Sequence, residues 1–182
     1  MASRWPVSPR GGHGAPGERA DDRRVARVPR TDLGGLLRVR RYRRCVFLLG
    51  GTQVFRSLGL FLRYLDLAYP AKPADYPGYT AALAAKLREP GRVAEFLTTF
   101  RSTPADAEAQ LPNVRCPALV IMGAADPDFA APRAEGDAIV AAMPAGAGTV
   151  AMAGGAGHYP HAQSPEAVAD LVIPVLTKHA GA

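Results

Sequence analysis

Apolar residues are scattered without period through residues 1–44, recur at spacings of three and four from Gln53, and change to short continuous runs after Pro117. Val54, Leu58, Phe61, Leu62 and Leu65 form the stripe of an amphipathic helix starting at Gln53. The stretch 69–73, with Pro70 and Pro73, ends it. A second helix is predicted over 79–87, stopped by Pro90 and Gly91, and Val93, Phe96, Leu97 and Phe100 mark a third. Ser102, Thr103 and Pro104 read as a cap leading into a short helical turn through Leu111.

The run Ala118, Leu119, Val120, Ile121 and Met122, bounded by Pro117 and Gly123, carries the signature of a buried parallel strand. A helix over 132–143 with Ile139 and Val140 inward follows, then a second strand over 148–152 ending in Gly154, Gly155, Ala156 and Gly157. Ser164, Pro165 and Glu166 open a last helix as N-cap, first-turn proline and acid at the positive dipole end. Pro174 is expected to kink or shorten it. Strand, helix, strand, helix predicts an α/β fold with a parallel layer.

Composition divides the chain further. Residues 1–45 hold twelve arginines, no lysine and four acids, a charge of +8, while 46–182 hold ten bases and twelve acids, a charge of −2. Residues 1–44, rich in Arg, Gly, Pro and Ala, lack the apolar surface to offset chain entropy and are expected to be disordered. An arginine-only run of this kind can contact nucleic acid. With only Trp5 and Tyr42 its aromatics are too sparse to interleave the arginines, and no basic helical stripe runs through it, so a GC-rich sequence read out of frame is the preferred account and nucleic acid is not the expected partner. Cys45 and Cys116 give neither a disulfide framework nor metal spacing. Reduced thiols, a cytoplasmic location and Cys116 as a small buried hydrophobe are the simplest readings. No signal peptide is evident. The most apolar stretch, 45–69, is broken by Gln53, Arg56, Arg63 and Asp66, too polar to span a bilayer.

Two polar loops carry the candidate chemistry. Functional groups gather outside the carboxyl ends of strands in open parallel sheets. The first such loop holds Asp126, Pro127, Asp128 and Phe129; the second holds His158, Tyr159, Pro160 and His161. Asp126 and His158 are thereby expected side by side on one edge of the sheet. A carboxylate accepting an imidazole N–H fixes the tautomer and steadies the imidazolium, as hydrolytic triads require. Blander readings stand beside this one. Asp before Pro is a common turn residue, and His158 can be a satisfied loop histidine. His158 and His161 lack a nearby third ligand for a metal pair. Tyr159 and Phe129 can line a pocket, although packing is the commoner role for such aromatics.

At these residues the chain resembles a family. The text VRCPALVIMGAADPDFAAPRAEGDAI followed by GGAGHYPHAQSPEAVADLV is similar to the C-terminal portion of actinobacterial-type α/β hydrolases, and YPAKPADYPGYTAALAAKLREPGR looks like their helical cap. The resemblance covers about residues 55–182. It implies a partial α/β-hydrolase core over 111–182, a cap-like region over 45–110, Asp126 as triad acid and His158 as triad base. Asp128 and His161 fall at flanking motif positions, where the resemblance implies structural roles. One departure is large. The family's nucleophile sits on a strand–turn–helix elbow, G-x-S-x-G, and no G-x-S-x-G, G-x-C-x-G or G-x-D-x-G occurs here. Ser57 lies in a helical pattern, Ser102 and Ser164 look like caps, Ser3 and Ser8 lie in the polar start, and no strand precedes the glycine-rich Gly11, Gly12, His13, Gly14.

The resemblance therefore implies a truncated or fused hydrolase, acting on esters or related small molecules if active, with little or no turnover and no cofactor or metal. A second reading is a non-catalytic interaction module whose arginine-rich arm meets nucleic acid or anionic surfaces. In either case a two-stranded sheet leaves open edges, through which self-association or a complementing chain can add strands.

Overall fold

The computed structural model describes residues 32–100 and 105–179. The arginine-rich text before residue 32, the glycine-rich segment at residues 11–14 and the cap expected at Ser102, Thr103 and Pro104 lie outside them.

The helical portion comprises α1 (Leu33–Arg38), α2 (Arg40–Phe55), α3 (Leu58–Ala68), α4 (Tyr76–Arg88) and α5 (Arg92–Thr99). The expected boundary at residue 44 falls inside α2, and no helix starts at Gln53. The physical reason is a second stripe: Tyr42, Cys45, Leu48 and Thr52, spaced three or four apart, are all buried. Arginine-rich flanks obscure that period in the composition. Thr52 is satisfied without leaving the helix, its hydroxyl donating to the Leu48 carbonyl at 2.7 Å. Val54, placed on the inner stripe by sequence spacing, is exposed. The stripe breaks because α2 ends at Arg56, which adopts a left-handed φ of 49°, and Ser57 then caps α3 by accepting the Leu60 N–H. Ser57 is a cap, not a helix-interior residue.

From that corner α3 turns Phe61, Tyr64, Leu65 and Ala68 inward. They join Cys45, Leu48, Tyr69, Tyr76 and Leu87 in one core cluster, with Val93 and Phe96 packed against its rim. The Phe61 and Phe96 ring centroids lie 4.5 Å apart, a tilted contact within the range aromatic pairs prefer. Helix α4 begins at Tyr76, three residues earlier than sequence spacing indicates, because Pro77 in its first turn needs no N–H partner there.

Past a short α6 (Ala105–Glu108) and a 3-10 turn at Leu111–Asn113 the chain enters the α/β layer. Strands β1 (Ala118–Gly123) and β2 (Gly148–Ala153) pair in parallel, from Ala118 opposite Gly148 to Gly123 opposite Ala153. Helix α7 (Pro132–Ala141) makes the crossover, as expected for a parallel pair. Gly136 of α7 lies so close to Met122 and Val150 that a Cβ would press on both side chains. The strand alternation thus puts Val120, Met122, Val150 and Met152 on the α7 face. Two helices close the chain, α8 (Pro160–Gln163) and α9 (Pro165–His179), and α9 packs on both strands.

Pro174 neither stops nor shortens α9, which continues to His179. Cys116 is exposed just before β1, while Cys45 is the buried thiol. The molecule is mixed α/β, and among the described residues its sheet is the single β1–β2 pair. No helix of the described residues is long and apolar enough to cross a membrane.

Candidate active site

Backbone bonding brings the two polar loops together at the carboxyl ends of the strands. The N–H of Ala124 bonds to the Ala153 carbonyl at 3.0 Å, and that of Ala125 to the Ala156 carbonyl at 2.8 Å, so the acid loop is tied to the chain leaving β2. Gly123 is required at this crossing, because a Cβ would run into the carbonyl oxygen of Gly157. Gly157 meets the same constraint from α3: a Cβ would strike the Ala68 carbonyl oxygen, which accepts the His158 N–H at 3.0 Å.

Asp126 and His158 meet as the loop pattern predicts. Nδ1 of His158 lies 3.0 Å from Oδ2 and 3.2 Å from Oδ1 of Asp126. Asp126 is 4% exposed, and its Oδ1 also accepts the Asp128 N–H at 2.9 Å. A carboxylate facing Nδ1 favours the tautomer with the proton there, leaving Nε2 as the basic nitrogen. The hydrogen bond to Asp126 raises the His158 pKa above the ordinary imidazole value; burial opposes this, and the charges of Asp128 and Asp126 reinforce it.

Asp128 is the residue sequence reading undervalued. Its Oδ2 lies 3.6 Å from His158 Nδ1, so the imidazole faces two carboxylates. Burial raises the Asp128 pKa, the His158 charge lowers it, and Asp126 raises it again. The Tyr64 hydroxyl donates to both Asp128 oxygens, and the Cys45 thiol approaches Oδ1 at 3.3 Å. Burial, then the Asp128 charge, push the Cys45 thiol far above its usual range, so it is not an activated nucleophile. Neither Tyr64 nor Cys45 stands out from sequence as a site residue, since each lies on a helical stripe that reads as core.

Gln163 is a second residue without a sequence signal. Its Oε1 accepts the N–H groups of Gly157 at 3.1 Å and Ala71 at 3.3 Å, and its Nε2 donates to the Ala68 carbonyl at 3.2 Å. It thereby holds the histidine loop on the end of α3. Tyr159 stacks on Tyr69 with centroids 4.7 Å apart and meets the His158 ring edge-on at 4.9 Å. Burial, then Tyr69, push the Tyr159 phenol up to about 12. Phe129 lines a cavity of about 250 Å³ together with Asp32, Tyr42, Asp128 and Glu135. His161 is exposed and stands outside the acid–imidazole cluster.

Asp126, Asp128 and His158 offer two carboxylates and an imidazole whose ligand atoms lie within 4.8 Å of one another, a set that suits a divalent cation. Binding there would displace the Nδ1 proton and the hydroxyl and thiol donors that already occupy these oxygens. For acyl chemistry the cluster holds an acid and a base. Among the described residues no hydroxyl or thiol is hydrogen-bonded to His158 Nε2. Comparison with protein-family models, with curated proteins and with solved structures finds no match to this chain.

Proposed function

We propose that Asp126 and His158 are the acid and base of an α/β-hydrolase-type proton relay, and that the chemistry they serve is hydrolysis of esters or related small molecules. The observation that carries this reading is the 3.0 Å contact between Asp126 Oδ2 and His158 Nδ1, made by loops leaving two neighbouring parallel strands. In such a relay Nε2 takes a proton from the attacking hydroxyl or water and later delivers it to the leaving group. Asp126 holds the ring in the required tautomer and stabilises the imidazolium as it forms. Asp128, whose Oδ2 lies 3.6 Å from the same Nδ1, adds its charge to that stabilisation, and Gln163 positions the histidine loop.

No nucleophile elbow is encoded in the sequence. Members of a triad act as a unit, so the chain by itself is weakly active or inactive, several orders of magnitude below a complete relay. Turnover of an activated aryl ester tests the proposal. The expected result is slow hydrolysis without an initial burst, falling to the buffer rate in Asp126→Asn and His158→Ala. A rate indifferent to both changes removes the relay. A stoichiometric burst abolished by both would instead mean that the chain carries its own nucleophile.

A further inference from the structure

Along α2 and α3 lies a cleft of about 500 Å³, lined by Arg43, Arg44, Phe47, Leu48, Arg63 and Asp66. That volume is within the range of small-molecule sites. Its charges do not cancel. Asp66, the one acid in the lining, is already engaged by Lys72 at 3.1 Å and by the Tyr76 hydroxyl at 3.2 Å. Among the described residues the guanidinium groups of Arg43, Arg44 and Arg63 take part in no ion pair or hydrogen bond. Nor does α2 compensate Arg43 and Arg44: it opens with Arg40, Arg41, Arg43 and Arg44, contains no acid, and sets these cations near the positive end of its dipole. The cleft also has an apolar part. Phe47 is 72% exposed beside these guanidiniums, while neighbouring Leu48 is buried.

We propose that this cleft binds a small organic anion, a carboxylate, sulfonate or phosphate joined to a flat apolar body. The guanidiniums of Arg44 and Arg63, one from each helix, hold the anionic group, because planar forked donors match such oxygens. The apolar body lies on Phe47 and the aliphatic stems of the arginines. This site is independent of Asp126 and His158, and its test is independent of hydrolysis.

The experiment titrates the full chain with the fluorescent probe 1-anilinonaphthalene-8-sulfonate and, in parallel, with N-phenyl-1-naphthylamine, its counterpart without the sulfonate. Saturable binding of the sulfonate is expected, weakened about tenfold in Arg44→Ala and in Arg63→Ala, as loss of one charge-assisted contact implies. Arg44→Lys and Arg63→Lys, which keep the charge but lose the planar fork, should bind with an affinity between that of wild type and that of the alanine variants. Inorganic phosphate should compete, Phe47→Ala should weaken binding, and the neutral probe should bind at least tenfold more weakly. Far-UV circular dichroism of each variant, whose altered arginines are exposed, reports that the fold is kept. Equal affinity in wild type and both alanine variants, or equal affinity for the neutral probe, overturns the proposal.

Discussion

The hydroxyl of Tyr64, in the middle of α3, donates to both carboxylate oxygens of Asp128, at 3.0 and 3.1 Å. This bond spans the two halves of the molecule. It ties the helical portion to the loop carrying the candidate acid, and it saturates a carboxylate that would otherwise be buried beside Asp126. Removing only the hydroxyl, in Tyr64→Phe, leaves Asp128 short of a donor. The expected loss is about 1.5–3 kcal/mol of stability, the usual range for a hydrogen bond to a charged group. Urea unfolding followed by circular dichroism reads it, and an unchanged midpoint would show that the bond carries no stability.

The histidine loop is held by contacts that tolerate little volume. Gly157→Ala places a methyl against the Ala68 carbonyl, which cannot move without breaking its bonds to His158 and Gln163. A loss of about 3 kcal/mol or failure to fold is expected, at the upper end of overpacking costs. Gln163→Leu keeps the volume but removes all three bonds, so the Gly157 amide should exchange with solvent faster in an otherwise folded chain. Protection of that amide equal to wild type would contradict the clamp.

Thiol reactivity should separate the two cysteines. Cys116 is exposed, whereas Cys45 is buried, near Asp128, and held well above its usual pKa by burial. A thiol-exchange reagent should titrate one equivalent rapidly in the folded protein and two in denaturant. Rapid modification of both thiols without denaturant would mean that α2 opens easily or does not pack as described.

Stability should fall with rising pH in two windows. Asp128 has a raised pKa, from burial first, so the folded state binds its proton more tightly than the unfolded chain. His158 likewise has a raised pKa, from its bond to Asp126 first. Each group contributes its stabilisation fully below its unfolded pKa and loses it as pH climbs through the folded value. The first decline therefore starts above about pH 4 and the second above about pH 6.5. Because Asp128 and His158 lie 3.6 Å apart and interact, these are properties of the pair. Unfolding midpoints across pH 3–9 check the sign, and His158→Phe should flatten the upper window. A stability that rises with pH through both windows would contradict the pairing.

Much of the α/β layer was legible in the sequence. An apolar run fenced by Pro117 and Gly123, then a helix, then a second run ending in glycines leaves little freedom, and the Asp126 and His158 loops follow from where such strands end. The start of α2 was hidden, because the stripe of Tyr42, Cys45, Leu48 and Thr52 is interleaved with arginines and composition outweighs period there. The break at Arg56 and Ser57 contains neither glycine nor proline, so two helices read as one. The support of the site was illegible for another reason. Tyr64 reaches Asp128 across 64 positions and Gln163 reaches Ala68 across 95, and no local pattern encodes such a meeting.

The measurement that bears most directly on the acid–base pair is the nitrogen-15 and proton NMR titration of His158 in wild type and Asp126→Asn. A proton resident on Nδ1, shifted downfield by its carboxylate partner, is expected, together with an apparent pKa above that of the unfolded chain. Both features should be lost or reduced in Asp126→Asn. A His158 that carries its neutral-state proton on Nε2, or that titrates identically in the two proteins, would contradict the relay.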